Sequence, residues 1–108
     1  MKAEIDLPGV LEINEGDSYQ GTNAIRITGN FATINPSSNL SFAVVDDSVR
    51  ETFIQVDATR RNSKIIAVEL TSEQTNIPSD TYRFSILEVR NNGERHTRAR
   101  GFLAVSGM

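Results

Sequence analysis

Apolar and polar residues alternate in short runs along this chain, and nowhere do the apolar ones keep helical i, i+3, i+4, i+7 spacing for three turns. The pattern predicts a nearly all-β protein. A first segment, Glu4-Ile5-Asp6-Leu7, is interrupted by Pro8-Gly9 and resumes as Val10-Leu11-Glu12-Ile13, so it is expected at a sheet edge or at a kink that switches sheets. Ala24 to Gly29 alternates cleanly, with Ile25 and Ile27 on one face and Arg26 and Thr28 on the other. Leu40-Ser41-Phe42-Ala43-Val44 follows, then a turn at Asp46-Asp47-Ser48. In Thr52-Phe53-Ile54-Gln55-Val56, burying Ile54 and Val56 sends Phe53 and Gln55 outward. Residues 64–70 point Ile66, Val68 and Leu70 inward and Ile65, Ala67 and Glu69 outward. Tyr82-Arg83-Phe84-Ser85-Ile86 is the cleanest strand. Its phase breaks at Leu87 and Val89, which predicts a β-bulge or a change in what covers the sheet. Asn91-Asn92-Gly93 supplies a hairpin turn before a last strand from about Thr97 to Val105.

About seven strands with regular turn signals point to an antiparallel β-sandwich of the immunoglobulin type, with a small closed barrel as the alternative. The sandwich is preferred because Asp80-Thr81-Tyr82, after a turn and at the start of the cleanest strand, has the form of a tyrosine corner. There a phenol hydrogen-bonds to backbone just upstream. The 108 residues make one domain, 1–108, and its stability must come from burying the inner faces because there is no cysteine to cross-link.

The absence of Cys and Trp removes disulfide frameworks, thiolate metal sites and cysteine nucleophiles. No run of about 18 apolar residues is present, and the N-terminus lacks a basic-then-apolar leader, so the expectation is a soluble chain, cytoplasmic or virion-associated. The net charge of −3 offers no whole-molecule attraction to nucleic acid or anionic membrane. It conceals a gradient. Residues 1–54 hold three basic and eight acidic groups, whereas residues 55–108 hold eight basic and six acidic. Arg90, Arg95, Arg98 and Arg100 gather around Glu94 and the single histidine, His96.

The runs Arg61-Asn62-Ser63-Lys64-Ile65-Ile66-Ala67-Val68, Thr81-Tyr82-Arg83-Phe84-Ser85-Ile86 and Arg98-Ala99-Arg100-Gly101-Phe102 to Val105 resemble bacterial Ig-like modules. In particular they resemble the Ig-like accessory domain of histone-like HU-family DNA-binding proteins of gut Bacteroidetes. Ser79-Asp80 departs from the glycine usual before that tyrosine, and the sequence has no HU-like portion. The resemblance implies an Ig-like fold and an accessory role, with no catalytic or DNA-reading residue to transfer. Ig-like modules of this size also decorate phage capsids, an analogy of fold alone.

Enzymatic chemistry is poorly supplied. His96 has Glu94 as its one candidate orienter, and adjacent Asp46 and Asp47 point to opposite faces of an extended chain. Asn14-Glu15-Gly16-Asp17 lacks the spaced ladder of a calcium loop, and there is no phosphate loop, dinucleotide fingerprint or zinc spacing. The expectation is a non-enzyme without metal, cofactor or small-molecule substrate. Its partner would be a protein or a second copy, with nucleic acid the competing class and membrane excluded. Two features carry the candidate contacts. Arg98 and Arg100, about 7 Å apart by strand geometry, share a face with His96 beside Arg95 and form a row of donors for carboxylates or phosphates; the plainer reading is a charged edge strand. Phe53 and Ile65, with Leu87 and Val89, fall on the outward side as apolar surplus.

Overall fold

A computed structural model describes residues 4–7 and 9–107. Its strands are β1 (Glu4–Asp6), β2 (Val10–Asn14), β3 (Ile25–Thr28), β4 (Asn39–Asp46), β5 (Glu51–Arg60), β6 (Ile65–Val68), β7 (Asp80–Val89) and β8 (Arg95–Ser106). One 3-10 turn, Gly21–Asn23, precedes β3, and no α-helix occurs among the described residues. All eight strands belong to one sheet, in the order β1-β3-β6-β5-β4-β7-β8-β2.

The expectation of about seven antiparallel strands is corrected in count and in direction. The interior pairs are antiparallel, but β1 runs parallel to β3 and β2 parallel to β8. Hydrogen bonding is continuous through β4, β5 and β6, because the ten-residue β5 pairs with β4 along most of its length and with β6 at its end. The break in the first segment falls at a sheet edge, as one of its two expected readings has it, and carries the chain from one edge to the other of a single sheet rather than between two sheets, although Pro8 itself lies outside the described residues. Leu7 N–H still donates to Thr28 O of β3, yet Val10 already pairs with Phe102 of β8. The two ends of the strand order are therefore consecutive in the chain, and the sheet is nearly closed into a barrel. Gly9 serves this kink, since a Cβ there would stand 3.0 Å from Asp6 O. β8, expected as a possible edge, lies between β7 and β2.

Alternation fills the interior as expected, with Ile25, Ile27, Phe42, Val44, Ile66, Val68, Phe84, Ile86 and Leu103 all buried. The rings of Phe42 and Phe84 meet at 5.4 Å between centroids. Phe84 takes the space a side chain at position 101 would need: a Cβ on Gly101 would lie 2.6 Å from its ring. Tyr82 Oη donates to Pro78 O at 2.6 Å, the bond expected of a tyrosine corner.

Two bulges change which side chains face inward. In the β4–β5 pairing, Val44 faces Ile54 and Val45 faces Thr52, so Phe53 is the extra residue. A bulge lets two successive side chains lean the same way, and Phe53 packs edge-on against Tyr82 at 5.4 Å instead of pointing outward with Gln55. In the β7–β8 pairing, Ile86 faces Ala99 and Leu87 faces Thr97, so the extra residue is Arg98. The irregularity expected near Leu87 is present, but on the partner strand. β7 keeps its phase, Leu87 and Val89 stay half-buried on the outer side, and Glu88 follows Tyr82, Phe84 and Ile86 into the interior.

Candidate docking surface at one end of the barrel

Three connections meet at one end: residues 29–38 between β3 and β4, residues 61–64 between β5 and β6, and the β7–β8 turn at 90–94. Backbone bonds join the first two, Gly29 N–H to Lys64 O at 2.9 Å and Phe31 N–H to Ser63 O at 2.8 Å, while Arg60 Nε donates to Phe31 O. Asn62 orders its own turn by accepting from the N–H groups of Lys64 and Ile65. Gly93, at φ 90°, permits the tight return of the hairpin, where Arg90 N–H donates to Glu94 O.

Glu88 joins the 29–38 connection to the hairpin. Its carboxylate is fully buried and fully engaged: Oε2 accepts from Ser38 Oγ at 2.6 Å and Asn35 N–H at 2.9 Å, and Oε1 accepts from Arg98 Nε at 2.6 Å. Arg98 Nη2 also lies 2.6 Å from Oε1, and Arg90 Nε approaches Oε2 at 3.5 Å. Burial works to raise the pKa of Glu88, but the donors from Ser38, Asn35 and Arg98 outweigh it and hold the group down to about 2. A buried ion with every oxygen satisfied is a fixed point, and removing any partner leaves charge in the interior.

The structure therefore divides the arginines that the sequence groups together. Arg98, displaced by its bulge, turns toward Glu88, whereas Arg100 lies across from Ser85 on the exposed outer face, so the expected single row does not form. His96, half-buried and opposite Glu88 in the register, contacts Glu94 at 3.2 Å. Arg95 is exposed. Phe53 belongs to the packing around Tyr82, and Ile65 is half-buried on the outer side of β6 against the 3-10 turn, beside Ala24, Arg26 and Asn62. Of the six candidate contacts, Arg95, His96 and Arg98 remain at the loop end, Ile65 lies at its margin on the outer side of β6, and Phe53 and Arg100 lie elsewhere.

Sequence reasoning misses Arg61 and Lys64, which the topology carries to the same end. Residues 29–38, 60–64 and 88–98 together hold six cations and two carboxylates, one of them the buried Glu88. Arg61, Lys64 and Arg95 are exposed, and no ion pair engages them among the described residues. The connections at the opposite end, residues 14–24, 46–51 and 69–80, hold eight carboxylates and one arginine. Five of these carboxylates come from residues 14–51 and three from residues 69–80, so the acidic pole is assembled from both halves of the sequence. A ladder of like and unlike charges exists in the chain, but only the strand order shows that it runs along the barrel.

The outer face of β2, β8, β7 and β4 bears a shallow depression of about 530 Å³, bordered by Val45, Arg83, Arg100 and Phe102. Phe102 and Val10, cross-strand neighbours, are 48% and 51% exposed there. No group of three or more metal-ligating side chains gathers among the described residues, and no helix is long and apolar enough to cross a membrane. No family model matches the sequence, and no curated protein matches it.

Proposed function

We propose that the chain is a non-catalytic interaction module of the Ig-like kind, an accessory or decorating component of a larger assembly, which docks through its basic loop end onto an acidic protein surface. The Ig-like reading is supported by the Tyr82 corner and by a first segment that leaves one end of the strand order for the other. The parallel pairings of β1 with β3 and of β2 with β8 are its departures from a purely antiparallel pattern. The docking reading rests on one observation: Arg61 and Lys64 on the 61–64 connection and Arg95 beside the hairpin turn stand exposed, with no ion pair among the described residues, on loops that Glu88 and the Phe31–Ser63 bond join through residues 29–38. Such a surface spends little ordering entropy when it binds.

The same cluster of cations supports a second reading, an accessory domain of a nucleic-acid-binding system. Phosphate contacts release counterions and weaken steeply with salt. Fluorescence anisotropy with a labelled polyglutamate peptide and with a DNA duplex separates the two. The protein reading expects peptide binding at low salt that falls more than about tenfold in Arg61→Glu/Lys64→Glu/Arg95→Glu, as losing three charge contacts implies. Preference for DNA would favour the second reading, and indifference to both probes would reject the loop end as a docking surface.

A further inference from the structure

Resting on that reading, we infer that the acidic surface fitting the basic end is the far end of a second copy, with the β4–β5 turn of one molecule seated beside the loops of the next. The turn, residues 46–50, projects Val49, which is 57% exposed, the largest exposure among the large apolar side chains described. Asp46, Asp47 and Glu51 flank it in the sequence, with Arg50 as the one cation of the turn. The turn is already ordered: Asp46 Oδ1 accepts from Ser48 N–H at 2.9 Å and Ser48 Oγ at 2.7 Å, and Asp47 holds Arg83 at 2.7 Å.

The basic end offers the complement. Between residues 34–38 and the end of β5 lies a depression of about 260 Å³ with a mixed lining, apolar at Ile34, Pro36, Leu40 and Ala58 and otherwise polar, with Arg60 at its margin. A valine side chain fits such a volume. Seating the turn there would bring its carboxylates toward Arg60 and the loop that carries Arg61 and Lys64. Knob and socket sit at opposite ends of one barrel, so the contact is heterologous: each copy offers a free turn and a free socket, and association continues head to tail. Exposed ion pairs and one valine give weak association, with a dissociation constant of about 1 mM at low salt, useful where copies are held at high local concentration.

Sedimentation velocity at millimolar protein tests this. The parent is expected to gain average mass with concentration at about 20 mM salt and to lose that gain at about 300 mM, where screening is strong. Val49→Lys is expected to remain monomeric with an unchanged thermal midpoint. Arg61→Glu/Lys64→Glu/Arg95→Glu and Asp47→Lys/Glu51→Lys should each be monomeric alone but associate when mixed in equal amounts, because one presents two acidic ends and the other two basic ends. A monomeric parent, or a mixture that does not associate, overturns the inference. If the parent is monomeric yet its loop end binds polyglutamate, only the identity of the partner fails. If it binds neither, the docking reading fails with it.

Discussion

The two ends of the barrel are held by different chemistry. At the basic end a single buried carboxylate, Glu88, gathers Asn35, Ser38 and Arg98. At the acidic end neutral hydroxyls do the equivalent work: Tyr82 Oη donates to Pro78 O, Tyr19 Oη accepts from Asn14 N–H at 2.9 Å, and Thr75 Oγ1 donates to Asp17 O at 2.6 Å. Burial and the nearby Asp80, Asp46 and Glu15 carboxylates raise the pKa of Tyr82 above 10.0, so its phenol stays a donor across the working range. An ion holds loops firmly while it remains an ion, and a hydroxyl holds them regardless of acid. The end that displays cations is thus the one whose order depends on a buried charge, whereas the charged contacts of the acidic end, Asp46 with Ser48 and Asp47 with Arg83, lie at the surface and contribute little.

The largest effect that would break this contrast is loss of the ion. Glu88→Ala is expected to cost about 3–5 kcal/mol in urea unfolding, because Arg98 is left with its charge largely buried and unpaired. Replacing both partners, Glu88→Leu with Arg98→Met, should recover much of that loss. Acid should act on the same group. The folded pKa of Glu88 lies below its ordinary 4.5, so its contribution is complete above that value and drains away as pH falls toward 2. Between those limits the parent should lose on the order of 3 kcal/mol more than Glu88→Gln, measured by urea unfolding as a function of pH.

Smaller effects belong to the rest of the barrel. Gly101→Ala places a methyl against the Phe84 ring and is expected to cost about 1–3 kcal/mol in the same unfolding assay. Tyr82→Phe should cost about 1 kcal/mol, the net value of a neutral hydrogen bond, with no added dependence on acid. If Tyr82→Phe steepened the loss of stability below pH 4.5 as strongly as any change at Glu88, the contrast between the ends would collapse.

Alternation made most strands legible, since Ile25 with Ile27, Phe42 with Val44, and Ile66 with Val68 each share a buried face in the expected phase. Tyr82 was legible because its corner is a local feature. Phe53 was not, because a bulge removes one residue from the count without any glycine or proline to announce it. Glu88 misled in a different way. Between Leu87 and Val89 it reads as a polar residue in a shifted strand, although its spacing from Tyr82, Phe84 and Ile86 already placed it inward. The candidate surface was half visible: Arg95 stands out in the hairpin, but its meeting with Arg61 and Lys64 is a consequence of strand order, which alternation does not encode.

The central claim is that the loop end is a preordered docking surface for carboxylates. Backbone amide shifts recorded by NMR during titration with polyglutamate at low salt address it residue by residue. The account predicts changes confined to residues 29–38, 60–64 and 88–98. Changes centred instead on Phe102 and the outer face of β7 and β8, or no changes at all, would contradict it.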